Sequence, residues 1–305
     1  MNNIIEVKNL TKTYGDFTAV DNISFAVRQG ETFGILGPNG AGKTTTLEMI
    51  EGLKSMTSGE VMLDGNDVRT EAREVKAKIG VQLQSSSFFD GLNLLELVET
   101  FASLYGRKVD AMSLLEQVQL TDKARSKAKE LSGGQKQRLS IAVALVNDPK
   151  VIFLDEPTTG LDPQARHNLW DLVKQIKALG KTVVLTTHYM EEAEILCDRI
   201  AIMDHARIVA MDTTVNLLRQ SGVASAIAFR PSREIDPAQL QTLPGVDKSA
   251  ASGGEYRLSC TNVTAAMPAL FQRLRELNVE VKDLKVTEPT LEDVFLALTG
   301  HELRD

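Results

Sequence analysis

Up to about Thr70, short apolar runs rich in β-branched residues alternate with turns. Ile4–Val7, Ile23–Val27 and Thr32–Leu36 have the length and composition of strands, and Gly15-Asp16 and Gln29-Gly30 the chemistry of turns. Over Lys43–Leu53 the period changes: Leu47, Ile50 and Leu53 recur at helical spacing, so a strand, a glycine-rich loop and a helix follow in order. From about Ser85 to Asn147 the pattern is helical, carried by Leu92, Leu95, Val98, Leu104, Leu114, Leu115 and Val118. After Val151, strands (Val151–Leu154, Thr182–Thr186) alternate with helices (Arg166–Leu179, Glu191–Cys197). Ile200–Met203 and Ile208–Met211 form a closing hairpin about a turn at Asp204–Ala206. Such alternation predicts a mostly parallel sheet flanked by helices.

Beyond about Gly222 the character changes. Ala226–Arg230 and Tyr256–Cys260 read as strands, and Val263, Ala266, Met267, Leu270, Phe271, Leu274 and Leu277 mark an amphipathic helix. Val279–Val286 is a further strand, and a last helix starts at Thr290, with Asp293 placed for a capping box behind Pro289. This predicts two domains: 1–222, with a helical subdomain over about 85–147, and a small α+β domain over 223–305.

At 305 residues, a large domain with an appendage is the expected organisation. With 43% hydrophobic and 25% charged residues the composition is that of an ordinary soluble protein. A net charge of -7 argues against non-specific nucleic-acid binding, which usually needs a basic excess. Cys197 and Cys260 have neither a close partner nor metal-ligand spacing, as expected of reduced thiols in a cytosolic protein. Met1–Ile4 lacks the basic and apolar blocks of a signal peptide. No apolar run approaches the roughly 20 residues a bilayer requires. Any membrane role is therefore expected to pass through a partner.

Three segments carry chemistry. Gly37-Pro38-Asn39-Gly40-Ala41-Gly42-Lys43-Thr44 sits between a predicted strand and a predicted helix. Its glycines let the backbone wrap a polyphosphate with N–H groups inward, and the helix N-terminus adds a favourable dipole. Lys43 supplies a point charge for the outer phosphates, and the Thr44 hydroxyl suits Mg²⁺. Val151–Leu154 ends in Asp155 and Glu156, of which the first can hold the metal's hydration shell and the second can polarise an attacking water. Leu131-Ser132-Gly133-Gly134-Gln135 is another anion-binding helix start, with Ser132 as N-cap and Gln135 three residues on.

In this order, Gly37–Thr45, Leu131–Gln135 and Val151–Pro157 resemble the motifs of ATP-binding cassette (ABC) transporter ATPase subunits. Tyr14 sits where that family stacks an aromatic on adenine. Gln84 resembles the glutamine that links nucleotide to the transporter interface, and is preferred to Gln82 by its distance from the Ile79-Gly80 pair. Gly160-Leu161-Asp162 resembles the loop that crosses the dimer, and His188 the switch histidine that reaches the γ-phosphate. The resemblance covers some 220 residues. It implies an α/β P-loop NTPase core with an inserted helical subdomain, and a small C-terminal α+β domain.

It further implies an ATP sandwich of two subunits, most simply a homodimer. One subunit brings the phosphate loop (Gly37 to Thr45), Asp155, Glu156, Gln84 and His188; the other brings Ser132, Gly133, Gly134 and Gln135, with Asp162 at the crossing. Glu156, His188 and Gln84 are the implied catalytic residues, ATP and Mg²⁺ the cofactors, and Thr44, Gln84 and Asp155 the metal ligands. Thr287–Phe295 and Tyr189–Glu194 resemble the ABC-2-type exporter branch, which includes antibiotic and multidrug resistance systems. Ala206 and Asp212 depart from that branch, which often has glycine there, and put the local turn geometry in question. The expected partner is a separate transmembrane permease, and the expected place the cytoplasmic face of the membrane. A soluble ABC protein of translation or DNA maintenance usually has two cassettes or a long coiled-coil insertion, and neither is present. An importer motor fits the core equally well but not the tail.

Overall fold

The computed structural model describes residues 2–84 and 87–301. Ser85, the expected start of the helical subdomain, and the expected end of the second domain at Asp305 lie outside the described residues. The chain divides into two compact units, Met1–Thr214 and Val215–His301. The division precedes the change of composition at Gly222, because a helix at Thr214–Gln220 already belongs largely to the second unit.

The first unit opens with β1 (Asn3–Tyr14), β2 (Phe17–Arg28), β3 (Thr32–Leu36) and α1 (Lys43–Ile50). It continues through β4 (Ser58–Leu63), β5 (Asn66–Asp67), α2 (Ala72–Lys76) and β6 (Ile79–Gln82). The helical part holds α3 (Leu94–Leu104), α4 (Ala111–Gln117) and α5 (Gly133–Leu145). Then come β7 (Val151–Asp155), α6 (Pro163–Ala178), β8 (Thr182–Thr187), α7 (Met190–Leu196), β9 (Arg199–Asp204) and β10 (Arg207–Asp212).

Two sheets result: an antiparallel one in the order β2-β1-β4-β5 and a six-stranded one in the order β10-β9-β3-β8-β7-β6. From β9 to β6 the second sheet is parallel, and β10 closes its edge antiparallel to β9. Every residue of β3, β7 and β8 is buried, as in parallel sheets covered on both faces. Alternation along β7 sorts the two cores. Ile152 and Leu154 join Leu97, Leu139 and Trp170 on the helical face; Phe153 joins Phe33, Ile35, Leu47 and Ile50 on the other. Both faces are thus consumed by packing, which leaves the loops at the strand ends to carry chemistry.

Several boundaries follow from local capping. Gly52 at φ 68° ends the α1 region before Leu53. Asp162 caps α6 with Pro163 at its first position, so this helix begins ahead of the expected Arg166. His205 and Ala206 both take positive φ, 43° and 67°, so the tight hairpin turn is kept although alanine replaces glycine. On β6, a Cβ on Gly80 would lie 2.0 Å from the Ala144 carbonyl oxygen, so the end of α5 packs directly on the strand backbone.

The second unit runs α8 (Thr214–Gln220), β11 (Ser225–Pro231), α9 (Pro237–Gln241), β12 (Val246–Ser252) and β13 (Glu255–Cys260). It ends with α10 (Val263–Glu276), β14 (Val281–Thr287) and α11 (Leu291–Thr299). Its antiparallel sheet, in the order β12-β13-β11-β14, has its own core of Ile227, Phe229, Leu258, Leu270 and Leu274. The Thr290–Asp293 capping box is formed. Both cysteines are free, and among the described residues no helix is long and apolar enough to cross a membrane.

Gly80→Ala is expected to destabilise the first unit by about 1–3 kcal/mol, the usual cost of overpacking. Urea denaturation should show this as a lowered midpoint for the first unit, with the second unit's transition unmoved.

Candidate nucleotide site

The loop after β3 is shaped by close backbone approach. A Cβ on Gly42 would lie 2.3 Å from the Ala19 carbonyl, and the residue sits at φ 103°, where only glycine is at ease. It is the N-cap of α1 without any side-chain cap, so the first amides of the helix are left for a ligand. Lys43 is turned inward and almost fully buried. Its ammonium donates to the carbonyls of Gly37 (2.9 Å) and Pro38 (3.1 Å) and lies 3.1 Å from Glu156 Oε1.

At the end of β7 the two carboxylates diverge. Asp155 Oδ1 accepts from Thr44 Oγ1 at 3.1 Å and from Thr186 Oγ1. Burial pushes the Asp155 pKa up; the two hydroxyls and the Lys43 charge offset only part of this. Hydroxyl and carboxylate oxygens are the hard donors that Mg²⁺ takes, so the Thr44–Asp155 pair fits that ion.

Glu156 is left-handed (φ 45°), an unfavourable conformation for a residue with a Cβ. Two bonds hold it there: its N–H donates to the Thr186 carbonyl (3.2 Å) and hydroxyl (3.0 Å). Oε2 accepts from Gln84 Nε2 and Thr159 Oγ1, each at 3.3 Å. His188 Nδ1 stands 3.4 Å from the same oxygen, out of hydrogen-bond alignment, with its ring 4.1 Å from that of Tyr189. Burial raises the Glu156 pKa, but Lys43 and then His188 outweigh it and hold the carboxyl below its ordinary value. The result is a nearly dry carboxylate kept ionised.

A cavity of about 310 Å³ opens here, lined by Phe17, Ala19, Asn39, Gly40, Gly42, Lys43, Thr44, Thr45, Gln84 and Glu156. Pro38 and Ala41 belong to the same loop, closed by an Ala41 N–H bond to the Pro38 carbonyl. Tyr14 does not line the cavity; Phe17, its register partner across the β1–β2 turn, does. Both aromatics are exposed, and Lys12 Nζ lies 4.9 Å from the Tyr14 ring centre. Gln82 is buried and turned elsewhere, donating to the Leu83 carbonyl and to Gln137 of α5.

The remaining expected residues form a second cluster. Ser132 and Gln135 make a reciprocal capping box at the start of α5. Gly134 is so close to α6 that a Cβ would lie 3.0 Å from that of Ala165, and Gly133 faces Leu161. Asp162 lines a cavity of about 220 Å³ together with Ser132, Gly134, Gln135 and Arg138. The two cavities share no residue, so a single chain keeps the phosphate loop and the second motif as separate surfaces.

Phe17, Thr159 and Thr186 had no distinguishing pattern in the sequence. Nor had Glu51, at the end of α1: it is buried, and neither carboxylate oxygen has a hydrogen-bond partner. Burial, with Asp155 and Glu48 adding, pushes its pKa up to about 8.

A glycine-rich loop opening a helix, faced by two buried carboxylates at the end of β7, fits an ATPase of the P-loop class. Residues 20–159 match the family model described as ABC transporter, and 216–299 the model for the ATP-binding protein DrrA1-3-like C-terminal domain. The linearmycin resistance ATP-binding protein LnrL of Bacillus subtilis is 36% identical over 311 residues, covering 99% of this chain and 100% of that protein. The Nod factor export ATP-binding protein I of Burkholderia orbicola is 40% identical over 314 residues, covering 99% and 98%. A solved dimeric ATP-binding cassette in a post-hydrolysis state, bound to ADP and Pi, aligns with TM-score 0.63 at 32% identity, over 68% of this chain and 98% of that one. The chain belongs to the ABC transporter family, as an ATP-hydrolysing subunit of its ABC-2-type exporter branch.

Glu51→Gln is expected to flatten the stability–pH profile. A carboxyl whose folded pKa is raised holds its proton in the folded state only, so wild-type stability declines as pH rises from about 4.5 toward 8. Urea midpoints at pH 6 and pH 8 should differ less in the variant than in the wild type.

Proposed function

We propose that this subunit hydrolyses ATP within a homodimer, each site joining the phosphate loop of one chain to the Ser132–Gln135 motif of the other. The observation that carries this reading is the convergence of Lys43, Gln84, Thr159 and His188 on the Glu156 carboxylate. In it, the amides of 40–44 and Lys43 hold the phosphates, and an aromatic at the β1–β2 turn, Tyr14 or Phe17, stacks on the base. Glu156 orients the attacking water and takes its proton; its lowered pKa keeps it ionised for that task. Gln84 and His188 fix the water and the γ-phosphate by positioning. Thr44, Asp155 and Gln84 would hold the Mg²⁺ that comes with the nucleotide, and its charge would offset that of the phosphates. Ser132 and Gly134 of the second copy, with Asp162 at the crossing, complete the oxyanion contacts that one chain lacks.

In the same reading residues 1–222 are the nucleotide-binding domain, whose helical part (about 85–147) meets a separate transmembrane permease, and 223–305 an accessory domain. The subunit then works at the cytoplasmic membrane face, touching the membrane only through that permease. The two relatives named above are a linearmycin resistance ATP-binding protein and a Nod factor export ATP-binding protein. Our reading of the cargo is a drug, an antibiotic or a lipid-like compound.

Glu156→Gln should retain ATP binding, lose roughly 10²-fold or more in turnover, and accumulate an ATP-bound dimer on size exclusion. Undiminished hydrolysis would remove Glu156 from its role. Ser132→Arg should keep nucleotide affinity while impairing hydrolysis. Mixed with Lys43→Ala chains it should regain activity through one hybrid site, whereas additive inactivity would argue for sites complete within one chain.

A further inference from the structure

Among the described residues of the first unit are buried acids that the nucleotide chemistry does not use, and one of them stands beside its loops. Glu192, on α7, is fully buried, yet it stands among polar groups from three separate elements. From α6, Trp170 Nε1 donates to Oε1 at 3.1 Å. The Thr158 hydroxyl, from the loop after β7, and the Thr187 hydroxyl, at the end of β8, approach the same carboxyl and pull its pKa down, but only the Trp170 indole makes a hydrogen bond to it. Thr158 lies two residues past Glu156, and Thr187 immediately precedes His188. The Thr187 hydroxyl also accepts from the Tyr189 N–H at 2.9 Å, so it grips the chain on both sides of the histidine.

A further contact runs from α6. Arg166 packs its guanidinium 4.4 Å from the Tyr189 ring centre, the ring that His188 meets at a tilt of 45°. Arg166 and Trp170 are four residues apart and therefore share the helix face that meets α7. Asp162, which caps this helix, is the residue placed at the dimer crossing.

Burying a carboxyl in a packed core is costly unless its polar partners are arranged around it. One arm of this arrangement is incomplete. Glu192 Oε2 and Thr158 Oγ1 are both buried and both without a hydrogen bond of good geometry.

We propose that Glu192 is a positioning residue that ties the loop carrying Glu156, the strand end carrying His188 and helix α6 into one unit. The inference rests on the roles given above to Glu156 and His188. Burial raises the Glu192 pKa against the pull of Thr187, Thr158 and Trp170. An amide can accept the same indole hydrogen bond, so glutamine should substitute and an apolar side chain should not.

The test uses Trp170, the chain's sole tryptophan, as a built-in reporter. ATPase kcat and KM, nucleotide affinity and Trp170 emission are measured on the full chain for Glu192→Gln, Glu192→Leu and Thr158→Val. Glu192→Gln should keep most of kcat. Glu192→Leu should lower kcat by about tenfold or more, with KM and affinity retained, and should shift Trp170 emission because the indole loses its acceptor. Thr158→Val should lower kcat and leave the emission in place. A folded Glu192→Leu chain with wild-type kcat overturns the proposal, as does a Glu192→Gln chain as impaired as the leucine variant. If Glu192→Leu does not fold, Thr158→Val decides, and an unchanged kcat there overturns it. Wild-type turnover in both Glu156→Gln and His188→Ala removes the underlying site reading as well. Loss in those two, with full activity in Glu192→Leu and Thr158→Val, removes this inference alone.

Discussion

A carboxylate almost excluded from water stays ionised only beside a cation, and the pairing of Glu156 with Lys43 meets that need. The two groups come from distant parts of the chain, one from the loop after β3 and one from the end of β7. Their meeting requires the strand order β3-β8-β7, because β8 must stand between them. It is β8 that supplies Thr186, whose hydroxyl and carbonyl hold Glu156 in its left-handed conformation and whose hydroxyl also reaches Asp155. Sheet order, backbone strain and site electrostatics are therefore one constraint seen at three scales.

Much of this frame was legible in the sequence. The phosphate loop can be read because close backbone contacts at Gly42 leave no alternative residue, and β7 because burial on both faces demands an unbroken apolar run. Ser132 and Thr290 could be read as caps because capping is local chemistry. What lay hidden depends on distant partners. β6 has four residues with a glycine among them, and β12 alternates too weakly to stand out; both are defined by the strands beside them. Spacing favours Gln84 over Gln82, but only packing reveals that Gln82 faces Gln137. At Ala206 the departure from glycine suggested a changed turn, yet the hairpin on either side holds the alanine at positive φ.

The second unit follows a different logic. Its antiparallel sheet and α10 enclose a core of Ile227, Phe229, Leu258, Leu270 and Leu274. The side chains that converge on Glu156 all lie in the first unit, and the tail's capping and periodicity account for its own folding.

The Lys43–Glu156 contact also bears on how such a subunit could decay over evolutionary time. Losing the lysine first strands a buried negative charge, whereas losing the carboxylate first leaves the ammonium with the Gly37 and Pro38 carbonyls. A lineage drifting toward a binding-only paralogue would find the second order the easier one. Silent descendants of this cassette should more often have kept the lysine of their phosphate loop and lost the acid at the end of β7.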